Sequence, residues 1–304
     1  MERELHFGMF HTGLEKGRKG FDFALKNPSL DLFICECDYR GEVFESQLTE
    51  IAAAGKKAFI TFSYLLFRRV SREEQMVDVG GEYYAKCVLQ PDYRERLVAM
   101  KAVLDEKPYK DAILGFYVDE PFLQGISAAD FTVATKAMRE ILPEMRIIPC
   151  FCIAPVAPNY WTIPHVDSIT PDCIRYITDI AYDLYHPYKS ETYDKIHAEM
   201  HERMGDLVDK IRVWYVPGTM NYRGDKEETY ALEHLYNFAR CLEKEKNPGG
   251  LLFYTWITFP NDSIGNVGLE VMTEQHGWDH IFPAIDTVVD RLRRGEPVGE
   301  DYMA

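Results

Sequence analysis

The residues with the most chemistry in them are Asp119 and Glu120, two adjacent carboxylic acids that close the apolar run Ile113-Leu114-Gly115-Phe116-Tyr117-Val118 just ahead of Pro121. A run rich in strand-forming residues, ended by a proline that cannot extend a sheet ladder, reads as a strand delivering acids at its tip. Leu114, Phe116 and Val118 share one parity and are expected to face a helix layer, while Asp119 should point where Tyr117 points. Glu120 falls on the opposite parity unless the strand ends or bulges there. The plainer reading is a solvated turn, since Asp near Pro is ordinary turn chemistry. The same device recurs elsewhere, however: Cys35-Glu36-Cys37-Asp38 ends a second apolar run, and Asp183 closes a third. Acids gathered at one place repel each other's charge, which raises the pKa of one and leaves an acid and a base side by side.

Strands must position these acids, and the chain supplies a regular series of them. Apolar stretches at Leu5–Thr12, Leu30–Asp38, Lys57–Tyr64, the acid-tipped run, Arg146–Ala154, Thr178–His186, Arg212–Pro217 and Leu251–Phe259 alternate with amphipathic segments. Phe44, Leu48 and Ile51 mark one helical face and Gly55 its end; Leu97, Met100 and Leu104 mark another. Phe131, Ala134 and Met138 follow a cap at Ser127, while Ser190 and Asp225 are read as caps of two later helices. Nearly continuous apolar strands alternating with helices imply a parallel sheet covered by helices, and eight repeats favour closure into a single (β/α)8 TIM barrel spanning 1–304 as one domain. An open doubly wound sheet is the alternative, but no G-x-G-x-x-G or phosphate loop follows any strand.

A formal charge of −15 makes a nucleic-acid backbone or an anionic membrane an unsuitable partner. The chain has no run of 18 apolar residues and begins without a basic, apolar leader, so it reads as cytoplasmic. Seven cysteines, two pairs of them alternating along strands, read as buried hydrophobes rather than disulfides. Nothing in the sequence sets the oligomeric state.

In a barrel the strand ends form the active face. That places His11, Thr12, Glu36, Asp38, Ser63, Tyr64, Asp119, Glu120, Asp183, Tyr185, His186, Tyr222, Trp256 and Asp262 at one mouth, with Tyr117 beneath them. Carboxylates that bond hydroxyls, mixed with Tyr and Trp rings that stack on apolar sugar faces, suit a small carbohydrate or oligosaccharide ligand. The long segments Leu65–Gln90 (with Arg68, Arg69, Tyr83 and Tyr84) and Pro260–Trp278 are expected to wall the cleft.

Three of these places resemble barrel-fold glycoside hydrolases. Asp119-Glu120-Pro121 is similar to the Asn-Glu-Pro at the fourth strand of the large retaining clan that includes many cellulases and β-galactosidases. Ala181-Tyr182-Asp183-Leu184 resembles the sixth-strand Tyr-Asp motif of the chitinase-like family 18, and Gly250-Leu251-Leu252-Phe253-Tyr254-Thr255-Trp256 its last strand with a floor tryptophan. The resemblance implies glycosidic-bond hydrolysis with Glu120 as general acid; the crowding of carboxylates at the mouth adds Asp183 or Asp38 as its carboxylate partner, with Asp119 orienting or charging the pair. From their places at the strand ends, Glu36, Asp38, Tyr64, Tyr117, Tyr185, His186 and Trp256 are expected to contact substrate, and no cofactor is expected. Two departures stand out. Ile211 to Gly218 offers no acid where the clan keeps its nucleophile, and Tyr117 and Pro121 replace two acids of the family 18 pattern. A carboxyl separation of roughly 5 Å would retain anomeric configuration and roughly 6.5 to 9.5 Å would invert it. A metal-dependent barrel hydrolase or isomerase is a second reading, although no His-x-His or H-E-x-x-H supports a metal at the mouth; a non-catalytic carbohydrate-binding barrel is a third.

Overall fold

The computed structural model describes residues 4–36, 41–61, 63–74, 86–185, 189–224, 226–259 and 265–299. Asp38, Tyr83, Tyr84, His186, Asp225 and Asp262 therefore lie outside the described residues. The barrel strands are β1 (His6–Met9), β2 (Leu32–Cys35), β3 (Lys57–Thr61), β4 (Ile113–Asp119), β5 (Arg146–Phe151), β6 (Asp179–Leu184), β7 (Arg212–Pro217) and β8 (Pro248–Phe253). They pair in parallel in sequence order, and β8 returns to β1 to close the barrel. Helices follow the strands, including Glu42–Ala53, Ala128–Ile141, Ser190–Met204, Glu228–Lys244 and Ile281–Arg294. The long segment after β3 holds a short antiparallel hairpin, Phe67–Arg69 with Cys87–Leu89. No described helix is long and apolar enough to cross a membrane.

Strand parity divides the core into two layers. Leu32, Ile34, Phe59, Tyr117, Ile148, Cys150, Ala181, Trp214, Val216 and Leu252 fill the barrel interior. Their neighbours of opposite parity, such as Phe33, Ile60, Phe116, Ile147, Tyr182, Tyr215 and Phe253, pack outward with the helices. Each strand thus buries both faces, the reason these runs read as apolar throughout. Toward the N-terminal ends the fully buried Trp214 indole donates to Asp179 Oδ1 at 2.7 Å and fills the base.

Three expectations are corrected. Leu114 packs against the interior cluster, not the helices, because the β3–β4 register shifts from Ala58↔Ile113 to Phe59↔Gly115 and leaves it as an extra residue. Gly115 is required there, since a Cβ would lie 2.1 Å from the Arg146 carbonyl oxygen. Ser190 is the first residue of its helix, behind Lys189, and its hydroxyl donates to Asn237 Oδ1 instead of capping. The cap position of the helix after β7 falls on Glu227, two residues beyond Asp225. Ser127 does cap its helix, accepting from the Asp130 amide at 3.1 Å.

Candidate active site

β4 ends at Asp119, and the backbone reverses there: Glu120 has φ +33°, in the left-handed region that a non-glycine residue enters at a cost of about 1–2 kcal/mol. The turn is held from several sides, by the Gln124 amide donating to Glu120 O, the Gln124 side-chain amide to Asp119 O and the Ile126 amide to Pro121 O. This reversal overrides the parity that would send Glu120 outward, and the charges of Asp183 and Asp119 both act on its carboxyl.

Asp119 is exposed at the mouth yet ringed by protein, so it keeps only part of its hydration. It accepts the Tyr117 hydroxyl at 2.9 Å. Asp183, at the end of β6, is 8% exposed and accepts the Tyr185 hydroxyl at 3.0 Å. Burial first, then the negative charges of Asp183 and Asp119, push Glu120 up to about 9. Burial and the Asp119 charge raise Asp183 to about 7, against the pull of the Tyr185 hydrogen bond. The two carboxyls are shifted unequally, and that separates a proton donor from a proton acceptor. Between them, Cys150 on β5 and Cys152 just after it have thiol pKa values raised mainly by burial, so both remain uncharged.

Glu36, just beyond β2, behaves in the opposite way. The His11 imidazole at 3.2 Å and the Lys16 ammonium at 3.1 Å hold its carboxyl well below the ordinary range despite partial burial. His11 is itself in a left-handed turn, φ +60°, its ring edge-on to Tyr254 and to Phe259. Tyr254 stacks on Tyr185 with centroids 4.9 Å apart and planes 25° apart, and Met220, Tyr222 and Tyr230 pack behind them. Gly218 permits this wall, because a Cβ there would meet Tyr185 Cδ1 at 2.8 Å.

The structure brings together Asp119, Glu120, Asp183, Tyr117 and Tyr185, with Glu36 joined to the same mouth through His11 and Tyr254. Tyr64, on a short helical turn after β3, is 84% exposed. Trp256 is turned away: it is buried in the helix layer, stacked on Phe23 at 4.6 Å and touching Gly20. Regular β8 ends at Phe253, so the alternation that would carry Trp256 inward is lost. Its expected place is taken by Tyr254, whose amide donates to Pro217 O. Tyr254 and Lys16 were not singled out from the sequence. Tyr254 continues the interior parity of Leu252 and was legible; Lys16 carries no such signal.

A cavity of about 460 Å³ opens at the other end of the barrel, lined by Arg139, Arg146, Arg175, Lys210, Arg212 and Asp179. Its cations are largely engaged, Arg146 with Glu4, Arg175 with Asp172 and Lys210 with Asp206. That face of a barrel serves stability.

No family model and no curated protein matches the chain. Solved structures do match in fold. The GH5_18 protein of Bifidobacterium longum subsp. longum, determined with Manβ1-4GlcNAc, aligns over 97% of this chain and 80% of its own at 13% identity and a TM-score of 0.61. The GH5_18 protein of Streptomyces cattleya, determined with GlcNAc, aligns over 98% and 82% at 13% identity and a TM-score of 0.59. A β-galactosidase of the psychrophilic Marinomonas ef1 aligns over 95% of this chain at 10% identity and a TM-score of 0.62, and the chain spans 60% of that protein's length. Its closed eight-stranded α/β barrel is thus the TIM-barrel fold of these glycoside hydrolases.

Proposed function

We propose that this protein hydrolyses a glycosidic bond, with Glu120 as general acid and Asp183 as its carboxylate partner. The observation that carries the reading is the pair itself. Two carboxyls at the ends of β4 and β6 are raised unequally by burial and mutual charge, so near neutral pH Glu120 holds a proton while Asp183 gives one up more readily. The donor protonates the departing glycosidic oxygen, and the ionised partner acts on the anomeric carbon, directly or through a water it deprotonates. Asp119 keeps negative charge beside both groups, and Tyr117 fixes its orientation. The Tyr185–Tyr254 wall offers an apolar face to a pyranose ring, and Glu36, held ionised, accepts sugar hydroxyls instead of giving up a proton. The retaining clan's second acid has no counterpart, because β7 runs into Pro217, Gly218 and Thr219. The partner therefore comes from β6.

A carbohydrate-binding barrel without turnover is the second reading, favoured by that same missing acid. The deciding experiment screens aryl glycosides and disaccharides, β-mannosides, β-galactosides and N-acetylglucosamine-containing sugars among them, for turnover and for binding. Turnover of unactivated disaccharides abolished by Glu120→Gln, and of aryl glycosides and disaccharides alike by Asp183→Asn, supports the hydrolase. Binding without turnover in the unmodified protein overturns it, as does activity that survives both substitutions and vanishes with a chelator. Among the described residues no two cysteines are joined in a disulfide, which supports placing the protein in the reducing cytoplasm.

A further inference from the structure

A second cluster of reactive side chains lies outside the mouth. His197 and His201 are four residues apart on one face of the helix Ser190–Met204, with ring centroids 4.2 Å apart. Glu245 directly follows the helix Glu228–Lys244, and its side chain is 2% exposed. The carboxylate oxygen Glu245 Oε1 is 3.1 Å from His201 Nε2 and 3.5 Å from His197 Nδ1. The Tyr215 hydroxyl lies 2.5 Å from the same oxygen and 2.5 Å from His197 Nδ1.

Two features set this cluster apart from an ordinary ion pair. Among the described residues no Lys or Arg pairs with Glu245, so a buried carboxylate is faced only by two imidazoles and a phenol. A buried anion without a full counter-charge is costly. The donor spacing also has a particular value. Zinc bonds of about 2.0–2.1 Å in a tetrahedron place neighbouring donors about 3.3–3.5 Å apart, and the two His–Glu separations, 3.1 and 3.5 Å, bracket that edge. All three donors lie within 4.8 Å of one another. Beneath them Tyr182, its ring 5.2 Å from Tyr215, keeps a buried hydroxyl without a partner among the described residues.

We propose that His197, His201 and Glu245 bind one divalent transition-metal ion of the zinc class, with the Tyr215 hydroxyl hydrogen-bonded to the Glu245 carboxylate and holding it in place. Two imidazoles and one carboxylate select zinc, cobalt or nickel over calcium or magnesium, which take oxygen donors. The ion would tie two helices to β7 on its outer face; Trp214 and Val216, the neighbours of Tyr215, face the barrel interior. Its role is structural, separate from the carboxylate pair. Partial exposure of His201, 27%, gives the ion a path in.

The test uses the full chain, stripped with a chelator and dialysed against zinc chloride, with bound metal counted by atomic absorption and cobalt(II) spectra recorded in parallel. The unmodified protein should hold one zinc per chain, give the intense visible cobalt bands of a four-coordinate site, and melt several degrees higher with zinc. His197→Gln/His201→Gln should weaken binding by at least about 100-fold, while Glu120→Gln/Asp183→Asn should still bind one ion. Should the double histidine variant misfold, His201→Gln alone, checked by circular dichroism, carries the comparison. The proposal is overturned if the unmodified protein takes up no stoichiometric zinc, or if stoichiometry and affinity are unchanged in a folded histidine variant.

Discussion

Glu120→Gln removes one proton donor and keeps nearly the same shape, so the loss it causes measures what the β4 turn is for. A glutamic acid of ordinary pKa 4.5 is protonated in about 0.3% of molecules at pH 7, whereas one raised to about 9 is protonated in about 99%. The environment made by burial, Asp183 and Asp119 thus raises the acid-competent fraction by a few hundredfold, or about 3 kcal/mol in barrier terms. Removing the group should lower kcat/KM by at least that factor, within the 10²–10⁴ range of general acid catalysis. The decisive assay varies the leaving group. Dinitrophenolate departs without protonation, so Glu120→Gln should keep a kcat/KM close to the unmodified value on a dinitrophenyl glycoside while failing on unactivated disaccharides. The alkaline limb of the pH profile should vanish with the donor. The reasoning is refuted if the variant keeps more than a tenth of its activity on unactivated substrates, or if it loses good and poor leaving groups equally.

Asp183→Asn should abolish turnover of both substrate classes, because the partner acts on the anomeric carbon whatever departs; a rate on dinitrophenyl glycosides within tenfold of the unmodified protein would reject that role. The raised carboxyls also make stability depend on pH. Their folded values, about 9 and about 7, exceed the ordinary 4.5 and 3.8, so the folded state holds protons more tightly; this stabilisation is complete below about pH 4 and is lost as pH climbs through the folded values. Melting should therefore fall by a few degrees from about pH 7 to about pH 9.5 and fall less in Glu120→Gln, which calorimetry across that range would check. Trp256→Ala should cost about 3–5 kcal/mol of stability in urea melts, with KM unchanged in whatever folds, since the ring packs on Phe23 and Phe282. Tyr254→Ala should do the reverse, raising KM severalfold with little loss of stability, and a KM equal to that of the unmodified protein would remove Tyr254 from the sugar-binding wall.

Sequence reached the barrel because burial of both strand faces leaves a plain signature, an apolar run of strand length ended by a turn. It placed Asp119 and Asp183 at the mouth because carboxylates that close apolar runs fall at strand ends. It failed where a backbone departs from alternation. Leu114 was assigned outward by counting parity through Gly115, yet the glycine is there because β5 passes too close for a Cβ, and the bulge it accompanies turns Leu114 inward. Trp256 was expected at the floor from the resemblance of the last strand to family 18, but it lies past the point where β8 is no longer a strand. Glu120 met the opposite fate: counting alone sends it outward, and a left-handed turn aims it back at Asp183. Such a turn is unfavourable for glutamate, and a glycine or asparagine would adopt it more easily. A carboxyl held in this strained turn and facing Asp183 supports the acid role proposed for Glu120. The pairing of Glu120 with Asp183 shares that origin. It depends on β4 and β6 flanking β5 in a closed barrel, a relation across about sixty residues that no local pattern encodes.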